Sequence, residues 1–128
     1  MDSVARSLQK HNSQFLEPGE TVRAGVFGNA GTTVLQHFLL GGSALRLMRI
    51  SKDLIFLLTD DHIYVLRGRF WLINRGTAVL EKHARGQVAV ASKGLVVRVG
   101  QHSLVQLDYL KGSKRGAQFA ALASEPPL

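Results

Sequence analysis

Cysteine is absent from the 128 residues. Its absence excludes disulfides, zinc-thiolate centres, iron-sulfur clusters and thiol nucleophiles, and it fits a reducing compartment. Proline is scarce, with three residues, and the chain lacks the low hydrophobicity that keeps disordered segments open: 45% of residues are hydrophobic and 20% charged. A secretory start is missing too. Met1-Asp2-Ser3-Val4-Ala5-Arg6 carries an acidic residue early with no apolar run behind it, so a cytoplasmic protein is expected. Catalytic signatures are equally thin. There is no Gly-x-Ser-x-Gly elbow, and Gly25, Gly28 and Gly31 before Thr32-Thr33 lack the lysine of a phosphate loop. His11, His37, His62, His83 and His102 are too far apart in sequence to make a local metal-ligand pair. The expectation is a protein that is not an enzyme and needs neither metal nor cofactor.

What is present is positive charge. Sixteen Lys and Arg against nine Asp and Glu give +7, a balance that favours anionic partners, whether acidic lipid headgroups or nucleic acid. The length suits one domain around one core. From Ala24 to Leu45 the chain has no formal charge. Repeated glycines, with Asn29, Gln36 and His37 in need of hydrogen-bond partners, make this a buried or interfacial segment rather than a transmembrane span.

The pattern beyond residue 15 is β. Residues 1–15 read as an N-terminal helix or arm with Ser3 as its cap, 16–124 as the domain, and 125–128 as a tail. Leu16-Glu17-Pro18-Gly19-Glu20 is a turn signature, and the alternation that follows predicts a strand over Thr21–Phe27, ended by Gly28. Residues 54–59 and 62–67 predict a tight hairpin about Asp60-Asp61, whose carboxylates are expected to bond nearby backbone amides. Arg69–Ile73 continues the pattern, and Asn74-Arg75-Gly76 reads as a turn before a strand over 77–81. Three more short strands are predicted over 86–91, 95–99 and 103–109, and a helix capped by Ser113 runs until Glu125-Pro126-Pro127. The expected fold is mainly β, a small barrel or sandwich of about seven antiparallel strands with one C-terminal helix and a short N-terminal one.

The segments Leu16-Glu17-Pro18-Gly19-Glu20, Leu58-Thr59-Asp60-Asp61-His62-Ile63-Tyr64-Val65-Leu66, Arg85-Gly86-Gln87-Val88 and Gln118-Phe119-Ala120-Ala121-Leu122 together resemble the bacterial pleckstrin-homology-like domains. The resemblance spans roughly Leu16 to Ala123. It implies two near-orthogonal sheets capped by the last helix, and an activity of binding rather than chemistry.

Arg67 and Arg69 flank Gly68 beside Phe70-Trp71, with Arg75 next along, and Arg46, Arg49 and Lys52 precede the paired strand. Guanidinium forks suit phosphate oxygens, and Phe70 or Trp71 suits an apolar anchor at a membrane interface. The expected site is therefore an anion- or lipid-binding face built from Arg46, Arg49, Lys52, Arg67, Arg69 and Arg75. Lys111, Lys114 and Arg115, near the start of the last helix, read as solubilising because cations there oppose the helix dipole, with contact to an anion as the alternative. The expected partner is an anionic membrane surface, met peripherally at the inner face, or a protein. The alternatives are nucleic acid, which suits a basic β-barrel, and self-assembly through residues 34–45.

Overall fold

Leu54-Ile55-Phe56-Leu57-Leu58 is an unbroken apolar run, and such a strand is stable only when both of its faces are covered. The computed structural model describes residues 3–30, 52–69, 72–106 and 109–125, and of Lys52, Arg69 and 72–74 only the backbone. In it the run forms β2 (Lys52–Leu58), next to β3 (His62–Arg69), and both lie inside a seven-stranded antiparallel sheet. The other strands are β1 (Ala24–Ala30), β4 (Leu72–Ala84), β5 (Val90–Lys93), β6 (Val96–Val99) and β7 (His102–Gln106), in the order β4-β3-β2-β1-β7-β6-β5. Among the described residues two α-helices flank the sheet, α1 (Ser3–Asn12) and α2 (Gly112–Ala123).

Strand alternation divides the core in two. Leu54, Phe56, Leu58, Ile63 and Val65 point to one face, where Val97, Val99 and Leu104 of β6 and β7 curl over to meet them. Phe119 and Ala123 of α2 fill the space between, with Phe119 6.5 Å from Phe56 by ring centroids. Ile55, Leu57, Tyr64 and Leu66 point the other way, onto Ala5 and Leu8 of α1 and onto Val22. Each fully buried leucine of this kind is worth about 1.5–3 kcal/mol, so the N-terminal helix is part of the core. The β-rich class, the seven antiparallel strands and the C-terminal helix are as expected. Hydrogen bonding passes unbroken through β1, which pairs with both β2 and β7, so what the resemblance implied as two sheets is one sheet that curls.

Several boundaries differ from expectation, each for a tertiary reason. β1 lies three residues later than predicted and runs through Gly28. A Cβ there would collide with the Val105 carbonyl, so Gly28 serves close approach of β7 rather than chain reversal. Residues 74–76 belong to β4, which takes register shifts against β3 in place of a turn. The strand predicted over 86–91 begins at Val90, and residue 93, read as part of a turn, closes it. Ser113 lies inside α2, whose cap position is Lys111, with no side-chain capping bond. Of the uncharged stretch, residues 24–30 form β1 and the rest lies outside the described residues, as does the self-assembly segment 34–45. Among the described residues no helix is long and apolar enough to cross a membrane.

Candidate functional site

The sheet has chemically different ends, and the β2–β3 turn marks the acidic one. Thr59 Nα donates to the His62 carbonyl at 2.9 Å, while the Thr59 hydroxyl accepts from the amides of Asp61 and His62 at 3.3 and 3.0 Å. The turn is thus closed by Thr59, not by the aspartates as expected. Asp60 instead accepts two bonds from the Arg23 guanidinium, at 2.9 and 2.7 Å, which holds its carboxyl below the usual range.

Glu20 ties this turn to the Pro18-Gly19 turn. Its side chain is 5% exposed and accepts from Thr59 Oγ1 at 2.6 Å, from the amide of Glu17 at 2.8 Å and from the Tyr64 hydroxyl, with His62 Nδ1 2.9 Å away. Burial alone raises a carboxyl pKa, yet these bonds outweigh it and bring Glu20 down to about 2. Burial, then Glu20 itself, pushes the Tyr64 hydroxyl well above its ordinary value. Glu17, Glu20 and His62 place donor atoms within 4.8 Å of one another, close enough to share a cation. The Lys82 ammonium already stands 2.6 Å from Glu17, and the Glu20 oxygens are filled by fixed donors. The arrangement holds the fold together and offers no open position for chemistry.

Arg85 completes this end. It is 8% exposed, bonds the carbonyls of Thr59 and Asp60 at 3.4 and 3.5 Å, and reaches the Leu122 carbonyl at the end of α2. All four segments that carry the pleckstrin-homology-like resemblance therefore meet at one junction. Glu81, on β4, sits 2.7 Å from His83 Nε2 and 3.3 Å from His102 Nε2, and the bond from His83 lowers its pKa first. That grouping draws His83 and His102 together from distant positions.

The opposite end carries the strand positions of Lys52, Asp53, Arg67, Arg69 and Arg75. Arg67 is exposed on β3, opposite Leu54, and strand alternation puts it on the face of Leu54 and Val65. Arg75 is exposed on β4 but turns to the other face, where Nη2 lies 3.1 Å from His11 Nδ1 of α1. These two members of the expected site therefore lie on different faces. Lys52 and Arg69 occupy strand positions at the same end, at the start of β2 and the end of β3; their side chains lie outside the described residues. Arg46, Arg49, Phe70 and Trp71 lie wholly outside them.

A further feature stands at this end as well. Arg67 pairs with Leu54, Leu54 with Gly28 and Gly28 with Gln106, which forms one row across four strands. Gln106 is buried and its Nε2 donates to the Gly112 carbonyl at 2.7 Å, so the row leads to the first residue of α2. Gly112 and Gly116 let that helix sit close: a Cβ on either would press on Leu95 or Gln106. Between α2 and the start of α1 opens a cavity of about 350 Å³ lined by Ser3, Val4, Lys111, Lys114, Arg115 and Gln118. The signal in the sequence was Tyr109-Leu110 before three closely spaced cations. Compared with known proteins, the chain matches no family model, no curated protein and no solved structure.

Proposed function

We propose that the chain is a non-catalytic, pleckstrin-homology-like binding module that docks peripherally on an anionic membrane surface at the cytoplasmic face. The observation that carries this reading is that the carboxylates near the β2–β3 turn are engaged while Arg67 is exposed at the far end. Glu17, Asp60 and Glu81 are engaged by Lys82, Arg23 and two histidines, and Glu20 is sequestered. Of the cations behind the +7 surplus, Arg67 stands exposed at the end of the sheet away from the β2–β3 turn. Each cation near an anionic leaflet contributes about 1 kcal/mol, so several together give weak, salt-sensitive docking.

The test is co-sedimentation with vesicles of phosphatidylcholine alone and of phosphatidylcholine mixed with phosphatidylglycerol, over a salt series. Binding to the mixed vesicles only, weakening as salt rises, is the expected result. Equal sedimentation with neither vesicle, while a single-stranded oligonucleotide is retained, would replace the lipid by nucleic acid as the ligand.

A further inference from the structure

Two locally unfavourable choices coincide at the start of α2. Leu110 is 96% exposed and Tyr109 41%, and an aliphatic side chain standing in water adds nothing to folding. Directly after them, Lys111 takes the cap position and Lys114 and Arg115 the first turn of a helix whose first turn holds no acidic residue. Cations there oppose the helix dipole. Between residues 93 and 124, Lys93, Arg98, Lys111, Lys114 and Arg115 stand against Asp108 as the one carboxylate. Two such departures at one place mark it as a candidate site.

We infer that the segment Tyr109–Arg115 and the cavity beneath it form the membrane-contacting edge of the protein: Leu110 and Tyr109 enter the interface, and Lys111, Lys114 and Arg115 hold lipid phosphate. The inference rests on the lipid reading above and gives it a location other than the β3–β4 hairpin. The cavity, at about 350 Å³, has room for a phosphate group, and Ser3 and Gln118 on its walls supply neutral hydrogen-bonding groups to a headgroup. The pairing of an aliphatic tip with cations matches a surface whose phosphates lie above hydrocarbon. Tyrosine, apolar in body and polar at its tip, belongs at that boundary. Nucleic acid offers phosphate as well and Tyr109 offers a ring for a base, but the tip residue Leu110, 96% exposed, has no π-face on which a base stacks. Arg67 lies at the same end of the sheet, through its row to Gln106 and Gly112, and adds to the same field.

The test uses the full chain and the two vesicle compositions above. Leu110→Ser is expected to weaken partitioning onto phosphatidylglycerol-containing vesicles about tenfold. The triple variant Lys111→Gln, Lys114→Gln, Arg115→Gln is expected to weaken it about a hundredfold. Because the chain has no cysteine, a Leu110→Cys variant accepts a single environment-sensitive fluorophore, whose emission shifts to the blue on those vesicles and not on phosphatidylcholine. This labelled protein also serves if the triple variant does not fold. Wild-type partitioning with both variants unchanged and no spectral shift would overturn this location while leaving the lipid reading intact. A wild-type protein that binds neither vesicle ends both. Loss of oligonucleotide retention in the triple variant, with the label silent on vesicles, would assign the cations to nucleic acid.

Discussion

Replacing Glu20 by Gln removes a charge and keeps the shape, which isolates the electrostatic part of the junction. The carboxylate has a pKa of about 2 in the folded chain against an ordinary 4.5. At 1.36 kcal/mol per pKa unit, the ionised form stabilises the fold by about 3 kcal/mol at neutral pH. The physical source is visible: Thr59 Oγ1, Tyr64 Oη and the Glu17 amide all donate to it, and the side chain is 5% exposed. Since the folded pKa lies below the unfolded one, this stabilisation is complete above about pH 4.5 and is lost as pH falls towards about 2. Urea unfolding of both proteins at pH 7 and at steps down to pH 3 measures it. The variant is expected to be about 2–3 kcal/mol less stable at pH 7, with the gap narrowing below about pH 4.5. Asp60 and Glu81 are also held below their ordinary values, by Arg23 and by His83 first, but they are common to both proteins and cancel in the difference. A variant within about 0.5 kcal/mol of wild type at pH 7, or a gap that does not change with pH, would refute the assignment.

Gly28→Ala drives a methyl group into the Val105 carbonyl and is expected to cost about 3 kcal/mol or more, read as a lowered thermal midpoint. A cost below about 1 kcal/mol would show that β7 does not press on β1 there. Asn12→Ala removes a buried carboxamide that donates to the Leu8 carbonyl at 2.9 Å and accepts from the Gly76 amide at 2.7 Å. The expected loss is about 1–3 kcal/mol with faster hydrogen exchange at Gly76, and unchanged exchange at that amide would contradict the bond.

The β2–β3 hairpin was legible because its apolar runs are strong and Thr59-Asp60-Asp61 punctuates them. Elements whose limits depend on a distant neighbour were not. Gly28 looks like a strand end by itself, and only the approach of β7 makes it a strand interior. Asn74-Arg75-Gly76 reads as a turn until Asn12 of α1 captures the Gly76 amide and holds it within β4. The same limit applies to the site. Arg67, Arg69 and Arg75 are close in sequence, and that proximity concealed the division of Arg67 and Arg75 between faces, which a bulged edge strand decides. Glu20 and Tyr64 gave no motif, because their partners come from two separate turns. The start of α2 carries a visible signal, three cations after Tyr109-Leu110, which the sequence alone leaves between solubilising charge and contact with an anion.

β1 is the clasp of the whole sheet. On one side it takes the meander β2–β4, on the other the meander β5–β7, with Gly28 and Asn29 reaching Gln106 and Val105 far along the chain. Neither meander owns a complete core, since Leu54, Phe56 and Val65 share their cluster with Val97, Leu104 and Phe119. Local hairpins are quick to form, whereas closing so long a loop before any of its contacts are made is costly in entropy. The order of assembly follows: hairpins first, the β1–β7 seam late, and Phe119 last into a space that exists only once the seam has closed. A nascent chain released before residue 106 has no partner for that side of β1, and the strand waits with an open edge, the condition in which β-rich chains pair with one another instead of with themselves.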